Sequence, residues 1–382
     1  MDKTAEYYLS DWNIVAFPKM GIEFHINSVA FTIFGFEIRW YGVIIAFGLL
    51  LAMLYGFKRM KEFGLDSDRA IDCVLGGIVG GIVGARLYYI LFDSDNTLAD
   101  FFKIRQGGLA IYGGLIGALL VALLIAKFRK VKILPLLDIA SLGFFIGQGI
   151  GRWGNFVNKE AFGSATEMPW GMATATVQDT LGNGTGAVVL AHPCFLYESL
   201  WCIAGFVLLH FYSKKRRFDG EVFLLYSAWY GLGRFFIEGL RMDSLYLGRL
   251  RISQLVAALC VVVSLTIFFI QRGHVKREGF TLYCNTEESK QLLLEAEERA
   301  ANASNKSKVA AADENALEDN SSAILQETAV EDSDPVKEAS VDSTPTDTSE
   351  PAEDLKTAFE DIAADRPESV EDGGAAQDGE GH

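Results

Sequence analysis

Apolar residues in this chain fall into long uninterrupted runs, not into the one-sided stripes of water-soluble helices or the alternation of half-buried strands. Seven runs stand out, approximately 40–57, 70–92, 107–126, 133–150, 193–212, 222–240 and 252–270, each bounded by a charged or turn-forming segment. A helix needs roughly 20 apolar residues to cross about 30 Å of hydrocarbon. The pattern therefore predicts an all-α polytopic membrane protein with seven transmembrane helices. Residues 1–11 lack the basic start and small-residue cleavage site of a signal peptide, so the first run is expected to remain in the mature protein.

Charge divides the chain in two. The whole carries a formal net charge of -15, but residues 285–382 hold 27 Asp+Glu against 7 Lys+Arg, a net of -20, which leaves +5 on residues 1–284. Residues 1–284 are read as the seven-span membrane domain. Residues 285–382, rich in Ala, Ser, Glu and Asp, have too little apolar surface to offset the entropy of ordering and are expected to form a disordered acidic tail, with one short helix over 287–300. Basic clusters at Lys58-Arg59-Lys61, Lys127-Arg129-Lys130-Lys132, Lys214-Lys215-Arg216-Arg217 and Arg272-Lys276-Arg277 fall in alternate loops. Positive loops stay in the cytoplasm, so the N-terminus is expected outside, the C-terminus and tail inside, and segments 93–106, 151–192 and 241–251 on the outer face.

Against this apolar background, Arg86, Arg152, Glu198, Arg234 and Glu238 lie in or at the edge of the runs. A charge at mid-helix costs about 2.5 to 3.5 kcal/mol on insertion scales, so such residues usually face a polar cavity and mark function. The plainer alternative is that they pair with one another to fix packing, as Arg86 with Glu198. Repeated glycines at 76–84 and 107–117 let helices approach closely, which leaves Tyr112, set between glycines, unexplained by packing. A cavity of Tyr, Arg, Asn and Glu opening to the outer leaflet suits a substrate with an anionic phosphate and greasy chains, because arginine binds phosphate through a planar fork. A transporter or flippase for an anionic lipid or solute would use the same arginines, although an odd span count and the lack of a visible repeat speak against it. A scaffold displaying the acidic tail would leave the intramembrane charges without a purpose. The five cysteines are scattered without metal-ligand spacing and are assigned to packing.

The stretch GRWGNFVNKEAFG, from Gly151 to Gly163, is similar to the signature of the phosphatidylglycerol–prolipoprotein diacylglyceryl transferases. IRWYG, GARLYY, GGLAIYGGLIG, HPCFLYE and YGLGRFFIEGLR follow the same family's order. The resemblance covers about residues 35–272. It implies an enzyme of the bacterial cytoplasmic membrane that moves a diacylglyceryl group from phosphatidylglycerol to the lipobox cysteine thiol of an exported prolipoprotein and releases glycerol phosphate. It implies no cofactor, metal or nucleic-acid partner. By position in the motifs, Arg152 is the phosphate or headgroup ligand, with Asn155 and Asn158 in the polar frame and Tyr41 and Arg86 as further lipid-binding candidates. Arg234 is a second cation near the reacting centre, and Tyr112, Glu160 and Glu238 complete the catalytic candidates. Many relatives carry His where Tyr112 stands, and Phe195 replaces a Gln in the HPxQLYE pattern. A tyrosine with an ordinary pKa near 10 is a poor base, so Tyr112 is expected to orient the headgroup while a carboxylate such as Glu160 or Glu238, or water, takes the thiol proton.

Overall fold

The computed structural model describes residues 3–92, 101–102, 108, 110–182, 184, 186–242, 246–247 and 250–330. In chain order its elements are α1 (Ala5–Ser10), β1 (Ile14–Phe17), β2 (Ile22–His25), β3 (Val29–Ile33), β4 (Phe36–Arg39), α2 (Trp40–Arg59), α3 (Ser67–Phe92), α4 (Ile111–Phe128) and α5 (Ile133–Asn158). There follow β5 (Ala173–Thr174), α6 (Ala175–Leu181), α7 (Cys194–Ser213), α8 (Glu221–Glu238), β6 (Tyr246–Leu247), β7 (Leu250–Arg251), α9 (Ile252–Glu278) and α10 (Glu287–Val330). Residues Met1–Val309 form one compact unit and Ala310–His382 another.

Helices dominate, and among the described residues six are long and apolar enough to cross a membrane: α2, α3, α4, α5, α7 and the apolar part of the segment beginning with α9. The expected sixth run, 222–240, is helical as α8. Its 18 residues include Glu221, Arg234 and Glu238, and it is not among the six. The small sheets were not expected. A two-residue bridge to β5 joins the β1–β2 hairpin into a three-stranded sheet of order β2-β1-β5, while β3–β4 and β6–β7 are separate ribbons. Residues 93–100 and 103–106, expected on the outer face, lie outside the described residues, as do 107, expected to begin the third run, and 331–382, where most of the disordered tail was expected. Within the tail, the expected short helix at 287–300 extends as α10 to Val330.

Small residues set the helix spacing. Along α3 and α4 the backbones meet at glycines, and a Cβ on Gly80 would stand 2.7 Å from the carbonyl oxygen of Gly117. No other residue fits there without parting the helices. α2 lies antiparallel to α5, with Ala52 against Gly143, Gly48 against Ile150 and Tyr41 against Gly154. The Trp40 end of α2 is thereby fixed beside the C-terminal, signature-bearing end of α5.

Two apolar cores mark the two ends of the bundle. One joins Met60, Phe63, Leu142, Phe145, Leu209, Val222, Tyr226 and Tyr283. The other joins Val15, Phe17, Phe156, Phe162, Met172, Val177 and Phe195, roofing the signature with the β1 sheet. Beside the first core, the basic loops meet the start of α10: Ser289 donates to the Gly64 carbonyl at 2.9 Å, Arg299 pairs with Asp66 at 2.5 Å, and Glu297 and Glu288 pair with Lys61 and Lys132. The start of the acidic tail is thus held against the basic loops by complementary charge and a buried serine.

Candidate functional site

The site grows out of the way α5 ends. Lys159 and Ala161 have φ of 56° and 57°, a left-handed conformation that non-glycine residues adopt reluctantly. Lys159 is the residue just past the helix. Its N–H closes on the Phe156 carbonyl at 3.2 Å, and the Glu160 N–H reaches back to the Asn155 carbonyl at 3.1 Å. The Lys159 side chain, 5% exposed, donates through Nζ to the Ile26 carbonyl at 2.8 Å. Burial holds its ammonium below the ordinary lysine pKa. This tight turn brings Glu160 back onto the helix end: Asn155 and Asn158 both donate to Glu160 Oε1, at 3.0 and 3.3 Å.

One turn back, Arg152 donates through Nη1 to Asn155 Oδ1 at 3.2 Å and pairs through Nη2 with Glu198 Oε1 at 2.6 Å. Glu198 is on α7 and its side chain is 3% exposed. Its other oxygen pairs with Arg234 Nη1 of α8 at 3.2 Å. Arg234 Nη2 in turn pairs with Glu238 Oε2 at 2.5 Å, one turn along the same helix. Tyr230 donates to Glu198 Oε1 at 3.1 Å, and Arg251 donates to the Glu238 carbonyl. The result is a chain of alternating charge, Arg152–Glu198–Arg234–Glu238, crossing α5, α7 and α8 inside an apolar bundle. Two guanidiniums and two carboxylates balance formally, so none of these buried charges is left uncompensated.

The predicted residues divide into two groups. Arg152, Asn155, Asn158, Glu160, Arg234 and Glu238 come together, and Tyr41 packs its ring on Gly154 between them, where a Cβ would stand 2.6 Å from Tyr41 Cδ2. Arg86 and Tyr112 stand apart from this chain of charges. Arg86 donates to the carbonyls of Phe101 and Gly108, at 3.2 and 3.1 Å, and lies over the Tyr89 ring, so it ties these two residues to α3. The alternative pairing of Arg86 with Glu198 is corrected: Glu198 is held by Arg152 and Arg234 instead. Tyr112 opens α4 and is 62% exposed, and among the described residues its hydroxyl makes no hydrogen bond. Cys73, Cys194 and Cys202 are buried in packing as expected, whereas Cys260 is exposed on α9.

Sequence reasoning noted Glu198 as an intramembrane charge but did not place it at the centre, and it passed over Tyr230. Both were detectable in principle: a carboxylate within an apolar run needs a cation, and two arginines of other helices were available. The segment between α5 and α7 packs tightly over the site. Gly163, which ends the signature, admits no side chain, since a Cβ would stand 2.8 Å from His192 Cβ and 2.9 Å from Cys194 Sγ. His192 Nδ1 lies 3.0 Å from the Tyr197 hydroxyl, which also accepts from Trp170 Nε1 at 2.7 Å. Burial holds the imidazole below its ordinary pKa of 6.5.

The fold and site together define a polytopic helical membrane protein with a buried, charge-balanced polar centre at one end. Residues 28–270 match the prolipoprotein diacylglyceryl transferase family. Among similar proteins, the phosphatidylglycerol–prolipoprotein diacylglyceryl transferase 1 of Clostridium perfringens (strain 13 / Type A) is 43% identical over 263 residues, which is 66% of this chain and 98% of that protein. The enzymes so named from Enterococcus faecalis (strain ATCC 700802 / V583) and Clostridioides difficile (strain 630) are 43% and 39% identical, covering 65% and 62% of this chain and 91% and 92% of their own. The chain belongs to the prolipoprotein diacylglyceryl transferase family.

Proposed function

We propose that this protein carries out the first step of bacterial lipoprotein maturation, moving the diacylglyceryl group of phosphatidylglycerol onto the lipobox cysteine thiol of an exported prolipoprotein. One observation carries the assignment of the site: a single buried carboxylate, Glu198, holds Arg152 and Arg234 side by side at the signature end of the bundle. Two guanidiniums at fixed spacing suit a phosphodiester whose leaving oxygen gains charge. The reaction breaks the bond between the diacylglyceryl carbon and the phosphate oxygen. The cysteine sulfur forms a thioether to that carbon, and glycerol phosphate departs with the electron pair.

The arginines rest on carboxylates, so an arriving phosphate competes for the same donors. Glu238 shares Arg234 Nη2 and is the partner the phosphate displaces most readily, because Glu198 is bound from both sides and by Tyr230. A displaced Glu238 becomes a proton acceptor where the thiol must lose its proton. The thiolate is the nucleophile, and a free thiol of pKa about 8.5 is mostly protonated near neutrality. Substrate arrival thus couples phosphate binding to the uncovering of a base. Asn155, Asn158 and Glu160 hold Arg152 in place, Tyr41 supports the same turn, and Arg86 and Tyr112 bound the headgroup region from the α3–α4 side.

Seven spans complete this reading, with α8 as the charged seventh. Arg234 and Glu238 turn to the site, Glu221 meets Tyr212 of α7 and Arg272 of α9, and Leu232, Phe235 and Phe236 stay exposed as a lipid-facing side requires. The N-terminus and signature lie on the outer face, the basic loops and the acidic tail segment 285–382 in the cytoplasm. This is supported by the gathering of the basic loops at one end of the helices, opposite the signature. The test is direct. Purified full-length protein in phosphatidylglycerol vesicles is incubated with a lipobox peptide, and the peptide is weighed. A mass gain of one diacylglyceryl group on the cysteine supports the assignment, and lipid translocation without peptide modification would refute it.

A further inference from the structure

β3 and β4 form an antiparallel ribbon whose register sorts its side chains. Phe31 stands opposite Ile38 and Ile33 opposite Phe36, while Thr32 stands opposite Glu37. Residues directly opposite one another share a face. One face is therefore built from four large apolar side chains and the other from Thr32 and Glu37. Phe31 and Ile33 are exposed, and a shift of register between Val29 and Phe31 bends the ribbon. An isolated two-stranded ribbon is marginal in water, and the exposed Phe31 and Ile33 on one face mark a contact surface.

The tip adds a second observation. Phe34 and Gly35 have φ of 49° and 78°, the two positive values of a type I′ turn, which Asn-Gly fills with least strain. Phenylalanine is a poor residue for that first position, and its ring is 94% exposed. The turn accepts backbone strain in order to hold an aromatic ring outward.

Position identifies the occupant. β4 ends at Arg39 and α2 starts at Trp40, with no residue between. α2 is apolar enough to span a membrane, and its Trp40 end lies beside the signature end of α5. A four-residue strand is only about 13 Å long, so the ribbon stays at the level where α2 meets the bilayer boundary. We propose that the β3–β4 ribbon lies flat in the lipid interface of the leaflet on the signature side, with its Phe31/Ile33 face and Phe34 among the acyl chains and Thr32 and Glu37 toward water. It is the two-stranded counterpart of an interfacial amphipathic helix, set beside the site rather than inside it.

The full-length protein carrying a benzophenone amino acid at position 34 is reconstituted in phosphatidylglycerol/phosphatidylethanolamine vesicles, irradiated, digested and weighed. The expected product is a phospholipid adduct on the peptide containing residue 34, as for the same probe at Leu120 on the exposed face of α4, and none for the probe at Trp12 on the sheet side. Absence of lipid at position 34 while Leu120 labels would overturn the proposal, and so would cross-linking of position 34 to a second copy of the chain. In a second arm, Phe34→Asn installs Asn-Gly and relieves the turn, so the thermal midpoint in detergent is retained or raised. With the probe moved to Ile33, this variant is expected to lose lipid adduct several-fold, and an unchanged yield would show that Phe34 does not hold the ribbon in the lipid. Neither arm depends on the transferase reaction.

Discussion

Glu198→Gln is the sharpest test of the charge chain. The substitution keeps size and one acceptor oxygen, but it removes the negative charge and turns an NH2 group toward a guanidinium. Arg152 and Arg234 engage opposite oxygens of this carboxylate at 2.6 and 3.2 Å. Their charge centres are then roughly 7 Å apart, and at an effective dielectric constant of about 20 two unit charges at that distance repel by about 2.4 kcal/mol. The lost charge-assisted hydrogen bond adds roughly 1.5 to 3 kcal/mol. The arginine side chains remain about a fifth exposed, and relaxation there reduces the sum, so a net effect of about 3 to 4 kcal/mol is expected, in line with breaking a buried pair. At about 1.4 kcal/mol per decade this is a loss of roughly 10²- to 10³-fold in kcat/KM. The assay is lipobox-peptide modification in vesicles, read by mass, with detergent thermal unfolding run in parallel. A variant that folds, and whose kcat/KM stays within about threefold of the parent, would mean that the arginines do not depend on Glu198 for their placement.

Further outcomes follow from the same geometry. Arg152→Lys keeps the charge but cannot reach both Glu198 and Asn155, so activity should fall roughly 10- to 100-fold; near-normal turnover at equal protein level would remove Arg152 from the site. Tyr112→Phe should cost about tenfold with an unchanged pH profile if the hydroxyl only orients the headgroup, whereas loss of the alkaline limb would make Tyr112 the base. Truncation after Val309 should leave activity and stability intact, while truncation after Asn285 removes the Ser289–Gly64 and Arg299–Asp66 ties and should lower the thermal midpoint; equal midpoints would show these ties to be idle. His192 has a folded pKa held below 6.5 by burial, so its contribution is complete above pH 6.5 and is lost as pH falls through the folded value. The drop in thermal midpoint between about pH 7.5 and about pH 5 should therefore shrink in His192→Gln, and an identical drop in both proteins would assign it to other groups.

What the sequence revealed and what it hid have separate physical causes. Spans were legible because hydrocarbon imposes length and apolarity on each helix independently of its neighbours, and α2, α3, α4, α5 and α7 appear near their predicted places. Arg152, Arg234 and Glu238 were legible because charge in such a background needs a reason, and Asn155, Asn158 and Glu160 through the motif they share with Arg152. Glu198 as the hub was not, because a pairing between helices depends on which faces meet, and Arg86 on α3 was as plausible a partner as Arg152 on α5. The sheet that roofs the signature was hidden for another reason. Its strands are two to four residues long, and β1 pairs with β5 from a segment more than 150 residues away, so no local periodicity announces it. The docking of the tail's first residues was hidden because it depends on contacts with the basic loops, which composition alone does not report.

The charge balance of the site bears on how the enzyme avoids acting on the wrong partner. If Arg152 and Arg234 faced the bilayer uncompensated, they would hold any anionic headgroup, and their cost in the membrane would fall on the resting protein. Bound to Glu198 and Glu238 they are nearly neutral at rest, and only a ligand that engages both guanidiniums at once can match what the carboxylates already supply. A monodentate anion displaces one contact and gains little. In the proposed reading, a phosphodiester seated across the pair would exchange two contacts and free Glu238 at the moment a thiol needs a base. Selectivity and activation would then be the same event, and separating them is a matter of chemistry at one atom: Glu238→Gln should keep phosphatidylglycerol binding, since Arg234 loses only a competitor, while peptide modification falls by at least about 100-fold, within the range of a general base. Retained turnover in that variant, with lipid binding unchanged, would place the base elsewhere, with Glu160 next in line through its contacts to Asn155 and Asn158.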